Sequence, residues 1–126
     1  MTTPGASPQE LVGEAVKLLT WEGESTAGLW PRAAALLGRQ ALETSLRRLW
    51  TLKAPGVEEC SWQAQLLVLP AFLGDEQLAE DAAHAWSALT RATHHHAYEL
   101  PPTQEELARW LSDVQRTIHK VDTLTN

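Results

Sequence analysis

The chain has 126 residues, 16 acidic against 10 basic, giving a formal charge of -6 and a pI near 5.3. That length suits one domain, able to bury a core without covalent staples, and the acid excess opposes general nucleic-acid binding, so RNA is accessible only to a local basic patch. The single cysteine, Cys60, excludes an intramolecular disulfide and a cysteine-based zinc cluster and fits a reducing, cytoplasmic setting. The N-terminal Met1–Ser7 segment has neither a basic nor an apolar stretch, and the longest apolar run, Leu66–Leu73, is interrupted by Pro70. That run is too short for a bilayer, so a soluble chain with no membrane partner is expected.

Helix signals run from end to end, and strand signals are absent. Ser7-Pro8-Gln9-Glu10 reads as an N-cap, a proline at the first helical position and a capping-box glutamate. The first helix is expected from Pro8 to about Trp21, with Leu11, Val12, Ala15, Val16, Leu18 and Leu19 on its apolar face. Residues 22–28, small and polar, read as a loop. Pro31 opens a second helix whose inner face carries Ala35, Gly38, Leu42, Leu46 and Leu49; a glycine on that face predicts close contact with another helix. Ala54-Pro55-Gly56 stops it. Ser61 caps a short, very apolar third helix through Leu66, Leu67, Leu69, Phe72 and Leu73, which reads as the central one, kinked at Pro70. Asp75 caps a fourth helix with Leu78, Ala82, Ala85, Trp86, Leu89 and Ala92 inward, running into residues 91–96 and stopped by Pro101-Pro102. Thr103-Gln104-Glu105-Glu106 is a capping box for a fifth helix with Leu107, Trp110, Leu111, Val114, Ile118 and Val121 inward. The expected fold is an all-α up-and-down bundle of about five helices, a single domain over residues 1–126 ordered from about 8 to 122.

The chemistry concentrates in Arg91-Ala92-Thr93-His94-His95-His96-Ala97-Tyr98. Arginine is a permanent cation whose N–H fork holds phosphate, and histidine exchanges protons near neutral pH, so the run suits phosphodiester cleavage. On a continuous helix His95 is the same-face partner of Arg91, four residues away, whereas His96 meets Arg91 only if the helix ends or loosens, or if a second chain completes the site. Adjacent helical residues point about 100° apart and no carboxylate or cysteine lies at ligand spacing, so neither a metal nor a cofactor is expected.

Arg91, four residues, His96, one residue, Tyr98 matches the Arg-x4-His-x-Tyr motif, and the chain resembles HEPN domains, especially the toxins encoded beside minimal nucleotidyltransferase antitoxins. The resemblance extends to chain length and helical layout. It implies a small helical bundle that pairs as a homodimer around a composite groove and acts on RNA as a metal-independent endoribonuclease of toxin or defence type. In that role Arg91 would hold the scissile phosphate and stabilise its pentavalent transition state, and His96 would act on the ribose 2′-hydroxyl. The products would be a 2′,3′-cyclic phosphate and a 5′-hydroxyl. Tyr98 would occupy the position that accepts nucleotidylation from a nucleotidyltransferase-type antitoxin partner.

Competing readings stand beside this one. Arg39, Arg47, Arg48 and Lys53 on the second helix form the best local patch for RNA, or a solvated helix face. The six tryptophans, Trp21, Trp30, Trp50, Trp62, Trp86 and Trp110, suit core and interface packing better than base stacking. His84 and His119 read as surface residues and Cys60 as inert. The alternative function is a non-catalytic helical module for dimerisation or partner binding, with a degenerate HEPN motif.

Overall fold

The computed structural model describes residues 5–20, 30–94 and 100–126. These residues form five α-helices and no strand: α1 (Pro8–Leu19), α2 (Trp30–Lys53), α3 (Trp62–Leu73), α4 (Glu76–Thr93) and α5 (Gln104–Thr125), with a 3₁₀ turn at Val57–Glu59. Pairings between the helices set their directions. Gln104 Nε2 donates to the Leu19 carbonyl and Gln9 Nε2 donates to Asp122, so α1 and α5 are antiparallel. Gly38 faces Leu89 and Glu43 accepts the Trp86 indole N–H at 2.9 Å, so α2 and α4 are antiparallel. Gly38 also faces Leu111 while Arg48 reaches Asp122, so α2 and α5 run the same way. The architecture is an all-α bundle in which α1, α2, α4 and α5 alternate up and down, with α3 inserted between α2 and α4.

The helix starts follow the side chains read as caps. Ser7 and Thr103 each complete a reciprocal capping box, with Glu10 and Glu106 respectively, and Ser61 and Asp75 accept from Ala64 N and Leu78 N. Each cap satisfies a backbone N–H with no partner inside the helix. α1 ends at Leu19, two residues short of the expectation, where the Thr20 hydroxyl and N–H both turn back to the Lys17 carbonyl. Residues 22–28, read as a loop, lie outside the described residues. α3 runs on through Pro70 to Leu73 and stops at Gly74, whose φ of +74° suits a residue without a Cβ.

The core is built on α2, which corrects the reading of α3 as the central helix. α2 packs against α1, α4 and α5, and buries Ala34, Ala35, Gly38, Ala41, Leu42, Leu46, Leu49 and Trp50. α3 buries only Gln65, Leu69 and Leu73, leaving Leu67 81% exposed. Its apolar character is spread round the axis, so composition alone does not say which side faces inward. Val16 is likewise exposed, on the outer side of α1. All six residues assigned inward on α5 are buried, and on α4 only Trp86 stays half-exposed while its indole reaches Glu43.

Two features hold this arrangement. A Cβ added at Gly38 would lie 2.5 Å from Leu111 Cδ2 and 3.3 Å from Leu89 Cδ1, so α2, α4 and α5 meet there. Gln65, fully enclosed, accepts the Trp50 Nε1 hydrogen at 2.8 Å and donates to the Cys60 carbonyl at 2.8 Å, joining α2, α3 and the turn between them.

Gly38→Val should destabilise the fold by about 2 kcal/mol or more, because overpacking a filled core outweighs any gain in helix propensity; urea unfolding measures it, and unchanged stability would contradict the close approach. Gln65→Leu, nearly isosteric, should cost about 2–3 kcal/mol by stranding the Trp50 donor and the Cys60 acceptor; a neutral result would show that water serves both groups.

Candidate functional site

α4 ends at Thr93, before the histidine run is complete and well before Pro101-Pro102, which were expected to stop it. The sequence turns unfavourable there. The Thr93 hydroxyl bonds back to the Leu89 carbonyl at 2.8 Å, and the His94 N–H is shared between the carbonyls of Thr90 and Arg91 at 3.2 Å each, tightening the last turn. His94 is the C-cap. His95, His96 and Tyr98 lie outside the described residues. The choice between His95 and His96 as the partner of Arg91 falls on these residues, beyond the end of α4.

Arg91 is exposed in the last turn of α4, where a cation is favoured by the helix dipole. Among the described residues its side chain makes no ion pair or hydrogen bond. It stands on the wall of an open groove of about 380 Å³ between the end of α4 and the start of α5. Ala88, Ala92, Pro101, Pro102 and Trp110 make its apolar lining, and the Trp110 indole N–H is buried with no hydrogen-bond partner. Among the described residues the carboxylate on the groove is Glu106, engaged elsewhere by accepting the Thr103 N–H at 2.9 Å in the capping box. The Thr103 backbone N–H, then its hydroxyl, holds the Glu106 carboxyl below the ordinary glutamate range. A groove that, among the described residues, presents a guanidinium without an ion pair beside apolar walls can hold a ligand that combines an anionic group with a planar apolar body.

Thr103, Glu106 and Trp110 had been read as a helix start and a core residue, not as parts of a site. No local signal marked them: ten residues, 94–103, separate α4 from α5, more than the short loop that fixes how two helix ends meet.

The basic patch on α2 is not assembled beside Arg91. From the Glu43–Trp86 pairing, the 1.5 Å rise of antiparallel helices puts Arg48 about 15 Å and Lys53 about 22 Å from the level of Arg91. Arg39, nearer in level, is half-buried and 3.6 Å from Glu43; its neighbour Trp86 lies about 140° round α4 from Arg91. Arg48 is 3.6 Å from Asp122 and 3.1 Å from the Asn126 amide oxygen. Arg47 and Lys53 are exposed. His84 and His119 are exposed, as is the free Cys60. Among the described residues no three histidine, cysteine or acidic side chains converge as metal ligands, and no helix is long and apolar enough to cross a membrane. No family model, curated protein or solved structure matches this chain.

The capping box that shapes the groove should carry a pH signature. A carboxyl whose pKa is lowered in the folded state stabilises above its unfolded pKa, and that stabilisation is lost as pH falls through the folded value. Replacing Glu106 with Gln should therefore narrow its stability deficit to wild type as pH drops from about 6 to about 3. Urea midpoints across that range test this, and a deficit independent of pH would show that the carboxylate charge is irrelevant to the cap.

Proposed function

We propose that this protein is a HEPN-like, RNA-directed endoribonuclease of toxin or defence type, working without a metal. The observation that carries the reading is the exposed Arg91 guanidinium at the end of α4, without an ion pair among the described residues, on the wall of an open groove and ahead of the histidines in sequence. In the proposed reaction Arg91 binds the scissile phosphate and stabilises charge on its equatorial oxygens. His96 removes the proton from the ribose 2′-hydroxyl, the 2′-oxygen attacks phosphorus, and the bond to the 5′-oxygen breaks as that oxygen takes up a proton. A 2′,3′-cyclic phosphate and a 5′-hydroxyl result. Pairing of two chains would bring a second Arg91 and His96 to the same RNA.

A second reading, a non-catalytic partner-binding module with a degenerate motif, draws on the apolar outer face of α3, where Leu67 is 81% exposed. One experiment separates the two. Incubation with RNA in EDTA should yield cyclic-phosphate ends, and Arg91→Ala and His96→Ala should each slow cleavage about 100-fold or more with the helical circular dichroism unchanged. His95→Ala tested in parallel should retain most activity. RNA left intact by wild type, or cleavage indifferent to Arg91, would sink the endoribonuclease and leave the binding module.

A further inference from the structure

α3 is apolar on both sides, though only one side faces the core. Inward, Gln65, Leu69 and Leu73 are buried; outward, Ala64, Leu67, Val68 and Ala71 fall at i, i+3, i+4 and i+7, the spacing of a helix-packing stripe. Leu67 is 81% exposed, and Val68 and the flanking Phe72 are 40% and 38% exposed. A small residue at each end of the stripe and larger ones in the middle suit a second helix laid across it.

The charges around the stripe select its occupant. From Ala54 to Thr90 the chain has no lysine or arginine, and it has six carboxylates: Glu58 and Glu59 before α3, then Asp75, Glu76, Glu80 and Asp81 after it. Arg116 of α5 matches Asp81 at 3.1 Å, and Asp75 and Glu58 accept the Leu78 and Gly56 N–H groups; apart from Asp81, none of the six makes an ion pair among the described residues. Nucleic acid and anionic lipid are repelled by the carboxylates at the two ends of α3, Glu58 and Glu59 before it and Asp75 and Glu76 after it. A second copy fits no better. Parallel pairing sets Glu58 and Glu59 against their own counterparts, and antiparallel pairing sets them against Asp75 and Glu76, on a chain already carrying -6.

We propose that the outward face of α3 docks a helical segment of another protein, with an apolar stripe at its centre and lysine or arginine at both ends. Apolar burial of Leu67 and Val68 supplies affinity, and the acidic ends supply orientation and partner choice. The proposal is independent of the chemistry assigned to Arg91.

A phage-displayed library of helical peptides, selected on the full chain, tests it. Enriched peptides should carry apolar residues at i, i+3, i+4 and i+7 with basic residues at both ends. Their affinity should fall about threefold or more between roughly 50 and 300 mM salt, and about tenfold or more on the double variant Leu67→Gln/Val68→Gln. Both residues are exposed, so that variant should keep wild-type helicity and any RNA cleavage. Failure to enrich a binder, binders with neutral or acidic ends, or affinity unchanged on the double variant would each overturn the proposal. So would self-association of the wild type in sedimentation that the double variant abolishes, which would make a second copy the occupant.

Discussion

At Gly38 three helices share a space that holds no side chain from the helix in the middle. With Leu89 and Leu111 both fully buried against that backbone, α2 cannot slide by a turn along α4 or α5 without bringing the side chain of Ala34 or Leu42 into the same gap. The contact thus sets the relative height of the helices, and the rest of the bundle follows from it. Glu43 meets Trp86 because it lies a turn and a half from Gly38 in one direction while Trp86 lies three residues from Leu89 in the other. Arg48 meets Asp122 at the far end for the same reason. With heights fixed, the last turn of α4 and the first turn of α5 end side by side, and Arg91 and Glu106 line one groove.

α3 is attached by a different kind of interaction. The contact near its start is polar and enclosed: Gln65 links the Trp50 indole to the Cys60 carbonyl, with Trp50 packed edge-on against Phe72 at 5.4 Å. A buried amide satisfied on both sides fixes rotation about the helix axis more tightly than apolar packing, because turning the helix strands three groups at once. That rotation directs Leu69 and Leu73 inward and Leu67 and Val68 outward. The exposed stripe is therefore a consequence of how α3 is held, and not a sign that it is held loosely.

Legibility in the sequence tracked how local the determining interaction is. The caps at Ser7, Ser61, Asp75 and Thr103 could be read because donor and acceptor lie within three residues. The inner faces of α2 and α5 could be read because their apolar residues repeat at one helical period against a polar background. α3 defeats that logic: with apolar residues on every side, period carries no direction, and the deciding contact joins Gln65 to Trp50, fifteen residues away. A glutamine also reads as a surface residue until the indole that needs its oxygen is known. The Arg91 segment was visible as chemistry from its residue types, whereas the groove beside it depends on two helix ends meeting, which no single window of sequence displays.

Electrostatics bears on both surfaces and separates them. The C-terminal end of α4 gathers Arg91 and His94 after thirty-seven residues without a lysine or arginine. Glu106 is committed to the Thr103 cap, so among the described residues no carboxylate of the groove is paired with Arg91. One guanidinium on a chain of net charge -6 still makes few phosphate contacts, and the salt-dependent part of any affinity for a polyanion scales with their number. Under the proposed reading, the site would derive most of its hold on RNA from the apolar lining of Trp110, Pro101 and Pro102, or from a second copy of itself, and would use Arg91 to position a single phosphate. The acidic surroundings would then act as a filter in that proposed role, favouring a short flexible anion that enters the groove over an extended one that must cross the rest of the surface.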